Sequence, residues 1–258
     1  MSTFLFDEII FGPVKSRRLG VSLGINLLPT DQKVCSFDCI YCECGINTRG
    51  TSKAKLPSRQ EVKEKLRSKL AQMGSELQLP DVITFAGNGE PTLHPHFSDI
   101  VDDTLDLRNE LCPSARIAVL SNATRLQNAN VVEALKKVDD NILKLDSGLE
   151  TSIMAIDRPN APFKLDELVE QLIAFNGNLV IQTLFVRGEI DGKPIDNTSS
   201  ADVLPWLGIL KKVNPKSVMI YSISRDTPFD TLKKVPMEEL NRIGQMVTDL
   251  GLEAQVSG

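Results

Sequence analysis

Three cysteines, Cys35, Cys39 and Cys42, stand at C-x3-C-x2-C spacing in the stretch Cys35-Ser36-Phe37-Asp38-Cys39-Ile40-Tyr41-Cys42, and no other feature restricts this chain so narrowly. Soft thiolates suit iron–sulfur clusters, and a cubane cluster normally takes four of them, one per iron. Three thiolates in one short loop, with no fourth placed to match, leave one iron open to a small molecule. Two other readings use the same residues. Cys35, Cys39, Cys42 and Cys44 could hold zinc, or the cysteines could be ordinary buried side chains. Zinc sites usually pair two separated C-x2-C or histidine-containing knuckles, and the sequence offers no second knuckle.

Length and composition bound what surrounds that loop. At 258 residues the chain is long enough for one α/β barrel or two small domains. Its 41% hydrophobic and 24% charged content is that of a soluble globular protein. No apolar run approaches the roughly 18 residues of a membrane span, and Met1-Ser2-Thr3-Phe4 opens no signal peptide, so no membrane association is expected. Five cysteines, four of them within ten residues, do not make a disulfide framework. A reducing cytoplasm is the expected location, because oxygen and oxidants attack an exposed cluster.

The net charge of −5 is unevenly spread. Residues 1–70 hold 12 Lys/Arg against 7 Asp/Glu, and the remainder 17 against 27. The basic excess lies around Lys15, Arg17 and Arg18 and from Arg49 to Lys69. Such asymmetry marks some nucleic-acid surfaces; for Lys63, Lys65, Arg67 and Lys69 a solvated helix face is the plainer expectation.

Taken in order, residues 4–29 read as a short hairpin or extended lead broken by Gly12-Pro13 and Gly20, then a strand from Val21 to Leu28 that delivers the cysteine loop. Arg17-Arg18 fall where that loop should emerge, either as a surface turn or as an anchor for an anionic substrate group. Gly45 to Ser58 is a polar loop. Ser58 caps a helix starting near Arg59, with Glu61 in its first turn and Val62, Leu66, Leu70 and Met73 as its buried stripe. Val82-Ile83-Thr84-Phe85 is a buried strand. Helix and strand then alternate: helices at 95–111, 128–138, 164–175, 201–213 and 237–250, strands at 116–120, 141–146, 179–186 and 217–224, and a terminal strand at 252–256. Six βα units call for a parallel sheet, and right-handed crossovers wind them into an open (β/α)6 barrel.

Ligands in such sheets meet the carboxyl ends of the strands. The polar residues there are Ser121 and Asn122, Lys144 and Asp146, Gln182 and Arg187, and Tyr221 and Ser222, although strand ends are polar in any barrel because they meet water. One strand end stands apart: Gly87-Asn88-Gly89-Glu90-Pro91-Thr92 follows Phe85 closely. Glycines let a backbone approach a ligand, and a carboxylate with carbonyls accepts from an ammonium; a glycine-rich turn before a helix is the bland alternative. His94 and His96 read as a surface turn, a cap or a substrate contact before a metal pair. Cys112 reads as a small buried side chain and Trp206 as core.

The cysteine spacing, with an aromatic just before the last cysteine, is similar to that of the radical S-adenosylmethionine (SAM) enzymes. In that family a G-G-E-P sequence at the end of the second barrel strand holds the methionine amino group of SAM. Here the match runs from Gly87 to Pro91 with Asn88 as the extra residue, so Gly89, Glu90 and Pro91 carry over most directly. In related enzymes, side chains from later strands hold the SAM carboxylate, ribose and adenine; Ser121, Asn122, Asp146 and Gln182 are the residues this implies. The implied fold is a partial (β/α)6 TIM barrel, a single domain over residues 1–258 with an N-terminal lead at 1–20 and a cluster loop at 35–44.

A narrower resemblance covers essentially the whole chain. Phe11-Gly12-Pro13, Arg17-Arg18-Leu19-Gly20, Gly24-Ile25-Asn26-Leu27-Leu28-Pro29, the glycine motif through Pro95, Leu120-Ser121-Asn122-Ala123-Thr124 and Gln182 to Gly188 look like the wyosine-synthase-like group. The archetype of that group builds the tricyclic wyosine base from N1-methylguanosine and pyruvate in tRNA. It holds a second cluster through further cysteines, whereas none precedes Cys35 here, and its pyruvate-binding lysine cannot be placed. The chain is also shorter, with no flavodoxin-like donor domain and no evident long insertion for tRNA. Group membership carries over; the tRNA substrate does not.

The resemblance implies that Cys35, Cys39 and Cys42 hold one 4Fe–4S cluster whose open iron is chelated by SAM. An electron from a flavodoxin or ferredoxin partner would cleave SAM to methionine and a 5′-deoxyadenosyl radical, which abstracts hydrogen from substrate. Three functions follow: an enzyme acting on an RNA base, with the basic N-terminal third as its contact; an activase that acts on a partner protein's glycine; or a non-catalytic iron–sulfur or zinc scaffold. The Gly89-Glu90-Pro91 sequence speaks against the last, since a scaffold needs no ammonium acceptor.

Overall fold

The computed structural model describes residues 4–16, 19–48 and 52–258. The chain divides into two compact units, one of Leu5–Cys35 with Asn47–Asn141, the other of Met1–Phe4, Ser36–Ile46 and Ile142–Gly258.

In the first unit the lead contributes a single strand, β1 (Ile10–Ser16), which pairs antiparallel with β2 (Gly20–Ile25), the strand expected at Val21 to Leu28. Gly24 lies beneath the Phe11 ring, where a Cβ would come within 2.1 Å of the ring carbon. β2 stops at Ile25, short of the Leu28 that its apolar run suggests. Asn26 ends it: its amide donates to the Leu28 carbonyl at 3.1 Å and accepts from the Leu28 N–H at 3.2 Å, the side chain taking the place of a ladder partner.

Helix α1 (Arg59–Ser75) starts on a complete capping box, in which Ser58 accepts from the Glu61 N–H while the Glu61 carboxylate accepts from the Ser58 N–H. Val62, Leu66, Leu70 and Met73 are its buried residues, as their spacing requires. β3 (Val82–Phe85), α2 (Phe97–Leu111), β4 (Arg116–Ser121) and α3 (Ala129–Lys137) follow. β2, β3 and β4 are parallel, with Ile25 beside Phe85 and Phe85 beside Val119. This register brings the carboxyl ends of three strands level, so that residues 86–91 leave the sheet next to Ser121.

The second unit continues the alternation. β5 (Asp140–Lys144) enters it at Ile142, followed by α4 (Glu150–Ile156), α5 (Leu165–Ile173), β6 (Val180–Ile190), β7 (Lys193–Asp196), α6 (Ser200–Val213), β8 (Ser217–Ser222), β9 (Lys233–Lys234), α7 (Met237–Thr248) and β10 (Ala254–Ser257). β6 pairs in parallel with β5 and β8, and β8 with β10. Trp206 is core, 1% exposed, with its indole N–H shared between the Leu145 carbonyl and Thr183 Oγ1. Beyond the parallel sheet β6 runs on and pairs antiparallel with β7 and β9. The sequence pattern did not show this ribbon, because the strands flanking Asp191-Gly192 are polar on their solvent sides. It also passed over α4, whose seven residues are too few for a helical stripe.

Candidate cluster and cofactor site

The glycine motif is a loop tied to the residue before the first cysteine. Gly87 and Gly89 have φ of +133° and +136°, a backbone region that side chains rarely enter. Space makes the same demand: a Cβ on Gly89 would sit 1.9 Å from the Val34 carbonyl oxygen, and one on Gly87 2.5 Å from Asn26 Oδ1. The approach is close because the Val34 N–H donates to the Asn88 carbonyl at 2.9 Å and the Glu90 N–H donates to the Val34 carbonyl at 3.1 Å. Two motifs distant in sequence are therefore one hydrogen-bonded unit.

Asn88, the extra residue in the motif, has a scaffolding side chain. Its Oδ1 accepts from the Phe6 N–H at 2.8 Å, and its Nδ2 donates to the carbonyls of Phe6 and Pro29 at 2.8 and 2.9 Å. Glu90 is 2% exposed. Its Oε1 accepts from the Thr92 N–H, the Thr92 hydroxyl and, at 2.8 Å, the Ser121 hydroxyl. Its Oε2 accepts from the Asn122 N–H at 2.7 Å and keeps acceptor capacity beyond that one bond. Burial pushes the Glu90 pKa up, against the pull of the bonds from Asn122, Thr92 and Ser121. Asn122 reaches the cysteine stretch as well, its Nδ2 lying 3.5 Å from Cys35 Sγ. The Cys35 backbone is held on its other side by Asn47, whose amide accepts from the Cys35 N–H at 2.9 Å and donates to its carbonyl at 3.0 Å. Nothing in the sequence singled out Asn47.

In the second unit, Ser36 to Cys42 lies along the segment 156–160. The Asp38 and Ile40 N–H groups donate to the Arg158 and Ile156 carbonyls, and the Asn160 N–H donates to the Ser36 carbonyl. Cys39 Sγ donates to Asp157 Oδ1 at 3.2 Å. Tyr41, the aromatic before the last cysteine, donates its hydroxyl to Asp146 Oδ2 and accepts from Lys144 Nζ. Lys144 Nζ also lies 3.2 Å from Asp146 Oδ2 and 3.7 Å from Asp157 Oδ1. Asp146 Oδ1 accepts from the Leu184 N–H at 2.9 Å, which fixes the carboxylate to β6. One lysine thus serves two buried carboxyls, a phenol and, through Asp157, a thiol.

These charges shape one another. Burial and then the Asp146 carboxylate push the Asp157 carboxyl up to about 8, with Lys144 pulling the other way. Burial and Asp146 also push the Tyr41 phenol up. For Lys144 burial opposes the charged form, yet Asp146, Cys39 and Asp157 outweigh it and hold the ammonium well above its ordinary range. Between the ordinary aspartate value of 3.8 and about 8, folded Asp157 keeps a proton that the unfolded chain has released. Stability of the metal-free protein is expected to be full below that window and to fall as pH rises through it. Urea midpoints measured from pH 5 to 8.5 check this, with the Asp157→Asn protein losing that part of the slope.

The other strand-end residues divide. Gln182 is 8% exposed and accepts from the Tyr221 hydroxyl at 3.4 Å. Arg187 is committed to Asp196, Thr198 and Glu239, and Ser222 to the Phe185 carbonyl and the Val235 N–H. Arg17, Arg18 and Arg49 lie outside the described residues. Arg59 and Lys63 pair with Asp103, and Arg67 with Glu110, so α2 neutralises three of the five basic residues of α1. His94 is buried with both ring nitrogens used: Nε2 donates to the Pro57 carbonyl at 2.9 Å and Nδ1 accepts from the His96 N–H at 3.1 Å. It has no lone pair left for a metal. His96 stands at the N-cap position of α2 without a capping bond. Cys112 is buried, 1% exposed.

None of the five cysteines is joined in a disulfide. Among the described residues no three His, Cys, Asp or Glu side chains are gathered to hold a single metal ion. A cubane cluster makes a different demand, since each thiolate meets its own iron and the ligands need not converge on one point. Of the three thiols, Cys35 and Cys42 are half-buried and Cys39 is buried. No helix among the described residues is long and apolar enough to cross a membrane.

The fold and these motifs define a class. The family model of the radical SAM superfamily matches residues 31–196, and the chain belongs to that superfamily. Within it the chain falls with the UPF0026 proteins: it is 32% identical over 235 residues to the UPF0026 protein of Helicobacter pylori, covering 87% of this chain and 69% of that one. Solved structures share the partial-barrel α/β fold. The radical SAM methyltransferase of Sphaerobacter thermophilus superposes with a TM-score of 0.67 at 14% identity, over 92% of this chain and 65% of that one. SuiB of Streptococcus suis bound to S-adenosylmethionine gives 0.64 at 17% identity, over 88% of this chain and 49%, about half, of SuiB. TYW1 with a bound lysine–pyruvate adduct gives 0.60 at 15% identity, over 88% of this chain and 73% of that one.

Proposed function

We propose that the protein is a radical SAM enzyme in which Cys35, Cys39 and Cys42 hold a 4Fe–4S cluster and the loop Gly87–Pro91 with Ser121 and Asn122 receives SAM. The carrying observation is the hydrogen-bonded union of the Val34–Cys35 segment with the glycine loop through Val34, Asn88, Glu90 and Asn122. When bound, the cluster supplies the electron that cleaves SAM to methionine and a 5′-deoxyadenosyl radical. The chain's own part is positional. Glu90 Oε2 offers its remaining acceptor capacity to an ammonium, and Ser121, Thr92 and the Asn122 N–H hold that carboxylate in place. Asp146 holds Tyr41 on the cysteine loop, and Gln182 with Tyr221 presents a polar edge for adenine or ribose.

For the substrate, the proposal extends to an RNA base, supported by the basic excess of residues 1–70 and by the sequence resemblance to the wyosine-synthase-like group. Because α2 takes up Arg59, Lys63 and Arg67, phosphate contacts would fall to the exposed Lys53, Lys55 and Lys65. Electrons would come from flavodoxin or ferredoxin. The test is anaerobic reconstitution with iron and sulfide, addition of dithionite and SAM, and chromatography for 5′-deoxyadenosine; zinc in place of iron sinks the reading. A gel shift with total tRNA that weakens as salt rises supports the RNA extension, and its absence at low salt removes it. Glu90→Ala is expected to keep the cluster and lower SAM affinity by tenfold or more, about 1.4 kcal/mol, measured by equilibrium dialysis.

A further inference from the structure

Lys144 stands out among the charges that this reading leaves without a task. It sits at the end of β5 with its side chain 15% exposed, and its ammonium faces the Tyr41 hydroxyl, Asp146 and Asp157. It also stands over the Tyr41 ring at 4.7 Å. A surface lysine would take water as its partner; this one takes a phenol that lies between Cys39 and Cys42 and a carboxyl that binds the Cys39 thiol. Burying an ammonium is unfavourable unless surrounding negative charge offsets the loss of its hydration. The Asp146 carboxylate already balances the one ammonium, so a thiolate at Cys39 adds negative charge to a buried region in which Lys144 supplies positive charge.

We propose that Lys144 is the internal counter-cation of the cysteine loop: it offsets the negative charge that Cys39 acquires as a cluster ligand, and so sets the cluster's reduction potential. The inference rests on the cluster assignment above. Its physical ground is that cluster potentials follow the net charge and hydrogen bonding around the sulfurs. A fixed positive charge nearby favours the reduced, more negative cluster; its removal makes reduction harder. The ammonium acts by its charge and is a positioning residue, because it touches the loop through Tyr41 and Asp157 and not through the sulfur.

The experiment is an EPR redox titration of reconstituted wild type, Lys144→Met and Lys144→Arg, with iron content and a urea melt of each metal-free protein. The expected result is a midpoint shifted to more negative values in Lys144→Met and restored towards wild type in Lys144→Arg. A Lys144→Met protein that holds its cluster at an unshifted midpoint overturns the proposal. Should Lys144→Met take up no cluster, the double variant Lys144→Met with Asp146→Asn, which removes the carboxylate 3.2 Å from the ammonium, decides. Cluster uptake recovered by removing one negative charge supports charge balance; a double variant that melts normally without iron overturns it in favour of packing alone. Failure of the parent reading looks different, since there the wild type itself takes up no iron.

Discussion

The Gly89→Ala protein is expected to lose both halves of the site together. The added methyl group would lie 1.9 Å from the Val34 carbonyl oxygen, and backbone cannot yield as a side-chain tip can. The φ of +136° adds a conformational cost of about 1–3 kcal/mol by itself. The least costly relaxation is to part the Val34–Cys35 segment from the glycine loop, which breaks the Val34–Asn88 and Glu90–Val34 bonds. Iron uptake and SAM binding should therefore both collapse, with a lowered urea midpoint beside them. Gly192→Ala, at a turn where a Cβ meets nothing within 4 Å, is the control that should leave iron uptake intact. A Gly89→Ala protein with full iron and unchanged SAM affinity would show that the union of the two motifs is incidental.

The second large effect concerns the cysteines one at a time. Cys35→Ala, Cys39→Ala and Cys42→Ala should each abolish the cluster, whereas Cys112→Ala, a buried thiol at the end of α2, should leave iron and sulfide unchanged. Among the three, Cys39→Ala also deprives Asp157 of its thiol donor. Full iron and sulfide in Cys39→Ala would be fatal to the ligand assignment. Cys44→Ala separates the remaining alternative: loss of bound metal there, together with zinc in the wild type, is the signature of a four-cysteine zinc site.

Much of this was legible in the chain. The buried stripe and capping box of α1 were readable because both are local, resting on residues three and four apart. The six βα units were readable for the same reason, since β2 to β6 and β8 carry apolar runs between polar turns. The glycine motif was legible as a motif, but the cause of its glycines was not: they are required by Val34 and Asn26, which no window of sequence joins to them. Asn88 shows the limit in reverse. Its place inside the motif suggested cofactor contact, while its side chain is spent on the backbone of Phe6 and Pro29. Asn47 and Asp157 gave no signal at all, because their work depends on pairings across long stretches of chain.

The closed hydrogen-bond circuit of His94 has a practical consequence. The chain contains two histidines. One has its side chain 58% exposed; the other is 4% exposed and confined to a single neutral tautomer by its bonds to Pro57 and His96. An acylating reagent such as diethyl pyrocarbonate should therefore consume His96 at once and spare His94 for as long as the junction between residue 57 and the start of α2 stays shut. Counting modified imidazoles by absorbance turns an ordinary chemical label into a clock for the local opening of that corner, with no engineered probe.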